Sequence, residues 1–150
     1  ESNNTKNIIT YYFNSMFERC NNLDDLSKFE LTGIFSKEPN LSNIHMKHMF
    51  AGCPRAYSVP IIQVKTSNVP KLRMMDMTGM FSSSFTSNSI FELTNTKSWI
   101  LQILTQDIVI IMDEMFMGCP LSKINSGTLE FFINPINNLF IDITTIRSLF

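Results

Sequence analysis

The chain has 150 residues, 44% of them hydrophobic, and a formal net charge of −1 at pH 7. With 12 basic against 13 acidic residues, the composition argues against a general nucleic-acid-binding protein, which carries a clear basic excess. No apolar run approaches the roughly 18–20 residues that cross a bilayer, so the sequence predicts no transmembrane segment.

A short motif occurs five times along the chain. Its clearest copies, residues 46–53 and 112–119, both read Met-x-x-Met-Phe-x-Gly-Cys. Looser copies occupy residues 13–20 and 77–84, and residues 146–150 match only the first part. The apolar residues stand at i, i+3, i+4 and i+7, a spacing that places them on one face of a helix. Because proline follows two copies and stops a helix, each motif is predicted to form a helix of about two turns.

The motif recurs at a nearly regular distance. Its phenylalanines fall 31 to 35 residues apart, at Phe17, Phe50, Phe81, Phe116 and Phe150. This period is typical of a solenoid, in which each unit buries its apolar face against the next. We therefore interpret residues 1–150 as a single repeat domain in which the central phenylalanines are buried and stacked. The cut-off fifth copy favours a fragment of a longer chain, and a weaker motif at 31–35 leaves a shorter sub-period open.

The extended segments complete the predicted units. Residues 8–12 are predicted to form a first strand or edge element. A polar turn and a short strand are expected after each helix, at residues 28–31, 59–64, 90–93 and 128–132. One strand per unit, in register, would build a parallel sheet with the helices on its other side. Loops are expected at residues 65–75, 94–107 and 133–145, although residues 98–104 fit either an extra strand or a helix.

All the cysteines occupy the last position of the motif. They are Cys20, Cys53 and Cys119, and Ser84 stands at the same position. A small, buried and reduced side chain explains this placement. Disulfides remain an alternative that would need Cα atoms within about 7 Å, whereas no ligand spacing for zinc is present. His45 and His48 could supply two metal ligands, but a solvated pair on the polar face is the expected role.

The motif and its flanks resemble the BspA-like leucine-rich repeats, specifically the repeat of many mycoplasma surface lipoproteins. The family's Thr-Ser-Asn-Val element stands at residues 66–69, before the motif at 77–84, and its Cys-x-x-Leu ending stands at residues 20–23. The resemblance implies an α/β, leucine-rich-repeat-like solenoid with one short strand and one short helix per repeat. The family's repeat is shorter than these units, and residues 70–75 read as an insertion.

The resemblance also implies a function. The family is non-enzymatic and has no catalytic residues or cofactors to carry over, and it forms adhesion or interaction scaffolds outside the cell or on its surface. The alternative is a structural component of a virus particle or other large assembly, in which neighbouring subunits bury apolar loops around Trp99. An enzyme is a further rival, and it would need a deep pocket with convergent polar groups.

A basic stretch supplies the candidate binding residues. Residues 39–75 contain no Asp or Glu but hold five Lys and Arg residues. Segregated charge of this kind steers association with an oppositely charged partner, although a solvated loop is the alternative. The expected partner is a protein, an anionic glycan or a neighbouring subunit. The candidate binding residues are Lys65, Lys71, Arg73, Arg55 and Trp99.

Overall fold

The computed structural model describes residues 8–29, 40–58, 60, 72–86 and 109–120, together with the backbone of 142–145. Five strands form one parallel sheet in which each strand pairs with the next along the chain. They are β1 (Ile9–Tyr12), β2 (Leu41–His45), β3 (Met74–Asp76), β4 (Val109–Ile111) and β5 (Asp142–Thr145). The predicted parallel sheet and the predicted first strand are confirmed. Among the described residues, no helix is long and apolar enough to cross a membrane.

The strands precede the motif, whereas the sequence pattern placed them after it. β2 ends at His45, directly before Met46, and β3 and β4 end in the same way before their motif copies. β4 is Val-Ile-Ile, a run of β-branched residues that suits extended backbone. The predicted loops are therefore wrong where β3 and β5 overlap them.

The remaining strand predictions fall mostly beyond the described residues. The strand expected at 28–31 is wrong at Lys28, which ends a 3₁₀ helix, Leu26–Lys28. Asp25 directly precedes this helix and caps it, because its side chain accepts a hydrogen bond from the N–H of Ser27 at 3.0 Å. The strands expected at 90–93 and 128–132 lie outside the described residues, as do the loop at 94–107 and all of 59–64 except Pro60.

The motif copies form turns and not the predicted α-helices. We call residues 13–20, 46–53, 77–84 and 112–119 turn segments 1 to 4. In turn segment 2, the N–H of Met49 donates to Met46 and the N–H of Ala51 donates to His48, both across three residues. His48 (φ +52°) and Gly52 (φ +65°) are left-handed, which an α-helix excludes. Consecutive four-residue turns place the apolar residues of the motif on one side of the backbone, as a helix does. The spacing of the apolar residues therefore fits both structures.

Neighbouring turn segments are joined by their backbones. The donors are the N–H groups of the first, third, fifth and seventh positions of a segment. The first position donates to the last residue of the next strand and the other three donate to the next turn segment, all at 2.7–2.9 Å. In turn segment 1, for example, Ser15 donates to Lys47 and Phe17 donates to Met49. The same four bonds join segment 2 to 3 and segment 3 to 4. The hydrogen-bond ladder of the sheet therefore continues through the turns.

A column of phenylalanine rings runs through the core. The rings of Phe17 and Phe50 stack with centroids 5.3 Å apart, Phe50 and Phe81 at 5.8 Å, and Phe81 and Phe116 at 5.4 Å. Their planes differ by 9–12°, and Phe50, Phe81 and Phe116 are at most 1% exposed. The predicted burial and stacking are confirmed. Aromatic pairs of this kind contribute about 0.5–1.5 kcal/mol beyond their buried area.

In turn segments 2 to 4, the last position donates a hydrogen bond to the preceding segment. Cys53 Sγ lies 3.1 Å from the carbonyl oxygen of Phe17, and Cys119 Sγ lies 3.1 Å from that of Phe81. Ser84 Oγ makes the equivalent bond to Phe50 at 2.7 Å. Cys53 and Cys119 are buried as the sequence predicted, whereas Cys20 is only partly buried. Burial raises the pKa of the Cys53 thiol and raises that of Cys119 to about 11.

Candidate functional site

The outer face of the sheet is defined by two rows of side chains. Strand residues alternate between the faces, and Ile44, Met75 and Ile110 point into the core, where each is at most 1% exposed. The residues on either side of them therefore point outward, and the strand register aligns them across the sheet. The outer face consists of Thr10, Asn43, Met74 and Val109 in one row and Tyr12, His45, Asp76 and Ile111 in the other.

Asp76 is the buried centre of the outer face, at 3% exposure. Its Oδ2 lies 3.1 Å from Lys47 Nζ and 3.7 Å from His45 Nδ1. Its Oδ1 accepts hydrogen bonds from Thr78, from the N–H at 3.1 Å and from Oγ1 at 2.7 Å. Burial opposes ionisation of this carboxyl, but the bonds from Thr78 and the charge of Lys47 outweigh it and lower the pKa of Asp76. Asp76 is therefore a carboxylate at neutral pH, fixed by its neighbours.

An aromatic platform lies beside this carboxylate. The Tyr12 ring stacks on the His45 ring, with centroids 4.9 Å apart and planes 4° apart. Tyr12 is 68% exposed, whereas the His45 side chain is 19% exposed because it lies between Tyr12 and Asp76. The Lys47 side chain is 45% exposed. The outer face thus presents an exposed aromatic ring stacked on His45, and a lysine whose counter-ion is buried.

The histidine pair expected from the sequence is not a solvated pair. The His45 side chain lies between Tyr12 and Asp76, and the His48 ring lies over Gly79 in the neighbouring turn segment. Both side chains belong to partly buried residues. Across the residues that the structure describes, no group of three or more His, Cys, Asp or Glu side chains could hold a metal ion.

The structure does not bring the two described arginines of the predicted binding set together. Arg73 is exposed at the start of β3, where its N–H donates to the Ser42 carbonyl at 2.8 Å. Arg55 is exposed just beyond the end of turn segment 2, whereas Arg73 directly precedes a strand. Lys65, Lys71 and Trp99 lie outside the described residues.

The sequence did carry a signal for the outer-face residues that were missed. Tyr12, His45 and Asp76 each stand directly before a motif copy, at the last residue of a strand. Because strands in a parallel ladder align in register, residues at one motif position become neighbours in space. Lys47 belongs to the acid-free stretch, and its acidic partner follows that stretch immediately at residue 76.

Comparisons with protein-family models, with curated proteins and with solved structures found no match for this chain. The resemblance to the BspA-like repeats therefore rests on the motif residues.

Proposed function

We propose that the chain is a non-enzymatic interaction module, a short solenoid whose outer sheet face binds a partner. The stacked turn segments support the solenoid, because each segment makes the same four backbone bonds to the next one. Such an architecture exposes a rigid, extended surface. A rigid surface loses little conformational entropy on binding, which favours affinity.

The observation that carries this proposal is the exposed Tyr12 ring, which stacks on His45 on the same face where Lys47 pairs with Asp76. Tyrosine is enriched at the energetic centres of interfaces because it combines a large apolar ring with a hydroxyl group. The half-buried Met74, Val109 and Ile111 extend the apolar surface along the outer face. A partner seated here would cover the ring and meet the lysine.

The chemistry of Asp76 favours binding over catalysis. A general base works best with a pKa close to the working pH, whereas the pKa of Asp76 is lowered. Its two oxygens are already engaged by Thr78 and Lys47. The carboxylate therefore acts as an anchor that orients the lysine.

Charge indicates the class of partner. Arg55 and Arg73 are exposed and belong to the acid-free stretch 39–75, so an acidic protein surface or an anionic glycan fits best. The resemblance to surface lipoproteins extends this proposal to adhesion outside the cell or at its surface. The second candidate function, a structural part of a virion or other assembly, draws support from the exposed Ile8, Tyr12 and Met16, which a neighbouring subunit would bury.

Binding to an immobilised sulfated glycan and to an acidic peptide tests the proposal. We expect Tyr12→Ala to weaken binding about tenfold, the usual scale of a central interface residue, and we expect affinity to fall as salt rises. Tyr57→Ala is the matched control, since Tyr57 is 40% exposed and lies beyond turn segment 2. Equal affinity of wild type and Tyr12→Ala for every probe that binds would overturn the proposed surface.

A further inference from the structure

The thiol of Cys53 points toward turn segment 1. Its Sγ lies 3.1 Å from the carbonyl oxygen of Phe17. The backbone of Cys53 is bonded on the opposite side, because its N–H donates to Ser84 Oγ at 3.0 Å and its carbonyl oxygen accepts from the N–H of Phe85 at 3.2 Å. The thiol therefore lies against the segment that contains Cys20.

Cys20 approaches this thiol from turn segment 1. The N–H of Cys20 donates to the same Phe17 oxygen at 3.3 Å, so the thiol of Cys53 and the backbone of Cys20 converge on one atom. Burial raises the pKa of Cys53, and the N–H of Cys20 opposes that rise, as a donor beside the thiol does. Cys20 is partly exposed, whereas Cys53 is buried. An accessible thiol and a buried thiol are thus neighbours.

The spacing of the segments permits a bond between these two thiols. Cys20 and Cys53 hold the same position in neighbouring turn segments, and the stacked rings of Phe17 and Phe50 in those segments are 5.3 Å apart. The backbone ladder continues through both segments, and hydrogen-bonded strands lie about 5 Å apart. We therefore expect a Cα separation of about 5 Å for Cys20 and Cys53, within the range of about 4.4–6.8 Å that disulfides span.

The third cysteine is too far away to take part. Turn segment 3 separates Cys53 from Cys119, and Ser84 holds the equivalent position in that segment. Two ladder spacings amount to about 10 Å, which exceeds the reach of a disulfide. The Cys119 thiol lies against the Phe81 carbonyl oxygen of turn segment 3. Its neighbour at the same motif position is therefore a serine and not a second thiol.

We propose that Cys20 is a site of thiol–disulfide exchange with small disulfides, and that Cys53 resolves the product to an internal disulfide. Cys20 first attacks one sulfur of the small disulfide and bonds to that half, while the other half leaves and takes up the proton that Cys20 lost. Cys53 then attacks the Cys20 sulfur, and the remaining half leaves with the proton from Cys53. Two protein thiols are oxidised to one disulfide, and the small disulfide is reduced to two thiols.

The internal disulfide fastens turn segment 1 to turn segment 2. Cys20 and Cys53 are 33 residues apart, and closing a loop of this length restricts the unfolded chain. Cys53 gives up its hydrogen bond to Phe17, but the Phe17 oxygen keeps the bond from the N–H of Cys20. An accessible cysteine beside a resolving one is the usual arrangement of a redox-sensitive pair. This site is separate from the outer face, so either proposal can fail without the other.

Dithiobis-nitrobenzoate, an aromatic disulfide that releases a yellow thiol, tests the exchange on the folded, reduced protein. We expect wild type to release one equivalent quickly and a second more slowly, because Cys53 has the raised pKa and a smaller thiolate fraction. Cys53→Ser should release only the first equivalent and keep the label on Cys20, and Cys20→Ser should suppress both phases. Cys119→Ser is the matched control and should show both. Serine stands naturally at this position in turn segment 3, so we expect these variants to fold.

Mass spectrometry of the product provides the second measurement. The treated wild type should carry no label, should be lighter than the reduced protein by about 2 Da, the mass of two hydrogen atoms, and should yield a peptide that joins Cys20 to Cys53. Its midpoint of urea unfolding should shift upward relative to the reduced form. A label that stays on Cys20 in wild type, a disulfide that includes Cys119, or a Cys20–Cys53 bond that forms only in urea would each overturn the proposal.

Discussion

The His48 ring lies directly over Gly79, in the space that a side chain at position 79 would occupy. A Cβ atom built on Gly79 would overlap ring atoms Cε1 and Nδ1. Both residues hold the third position of their turn segments, and both are left-handed, with φ of +52° and +59°. The contact therefore requires a large side chain at position 48 and a glycine, which has no side chain, at position 79.

Gly79→Ala should destabilise the protein. A left-handed conformation costs an alanine roughly 1–2 kcal/mol, and the overlap with His48 adds to that cost. Urea unfolding would measure the loss. In a His48→Ala background the same substitution should cost less, because the overlap is relieved. The same cost in both backgrounds would show that the ring over Gly79 imposes no constraint.

Phe81→Ala should lower the free energy of unfolding by about 3–5 kcal/mol, as for other large-to-small changes in a core. Phe81 is 0% exposed and lies between two stacked rings. Phe17→Ala is the comparison, and it should cost less because Phe17 stacks on one segment only and is partly exposed. Equal losses in chemical denaturation would contradict a core that opens toward turn segment 1.

The thiols should react with a disulfide reagent in a fixed order. Cys20 is only partly buried, whereas Cys53 and Cys119 are buried and have raised pKa values, which reduces the reactive thiolate. We expect fast labelling of Cys20 alone in the folded protein and of all three cysteines in urea. Mass spectrometry of the labelled peptides would identify the sites, and rapid labelling of Cys119 in the native state would be inconsistent with its burial.

Asp25 should make stability depend on pH in the acid range. Hydrogen bonds from Ser27, chiefly from its side chain, and from Ser58 lower the pKa of Asp25 from 3.8 to about 2. Because the folded pKa is the lower one, this stabilisation is complete above pH about 4 and is lost as pH falls toward 2. Asp25→Asn should reduce the slope of stability against pH in that window. Asp24→Asn is the neighbouring control, and an unchanged slope in Asp25→Asn would exclude the role.

The basic stretch stays a prediction that can be tested directly. Replacing Lys65, Lys71 and Arg73 together with Ser should weaken binding to an anionic partner, with a loss that shrinks as salt rises, because salt screens exposed charges. Lys28→Ser controls for the removal of an exposed cation elsewhere, since its side chain is 85% exposed. If the triple variant binds like wild type at low salt, the basic stretch is only solvated surface.

The sequence predicted which side chains are inside but not the backbone that puts them there. Met46, Met49, Phe50 and Cys53 are buried as the spacing required. The same spacing arises from consecutive turns with a left-handed residue every fourth position, because each four-residue turn returns the chain to the same side. Gly52 and Gly118, inside the predicted helices, are the residues that indicate turns, since glycine is unfavourable within a helix and favoured at positive φ.

The outer face was harder to predict for a different reason. Its central ion pair joins Lys47 to Asp76, residues in different turn-and-strand units, and only the register of the parallel ladder brings them together. Composition showed an acid-free stretch and therefore pointed to unpaired charge. The pairing neutralises part of that charge, which no local pattern could indicate.

The orientation of the hydrogen bonds between neighbouring segments determines how the molecule would respond to mechanical force. Because the bonds between segments run along the stack, tension applied between β1 and β5 loads them one segment at a time and does not shear a whole sheet at once. Each rupture would release 31 to 35 residues, roughly 100–125 Å of extended chain. Under tension the protein would lengthen at low force in steps of similar size. The segments that are still bonded to each other would keep their structure.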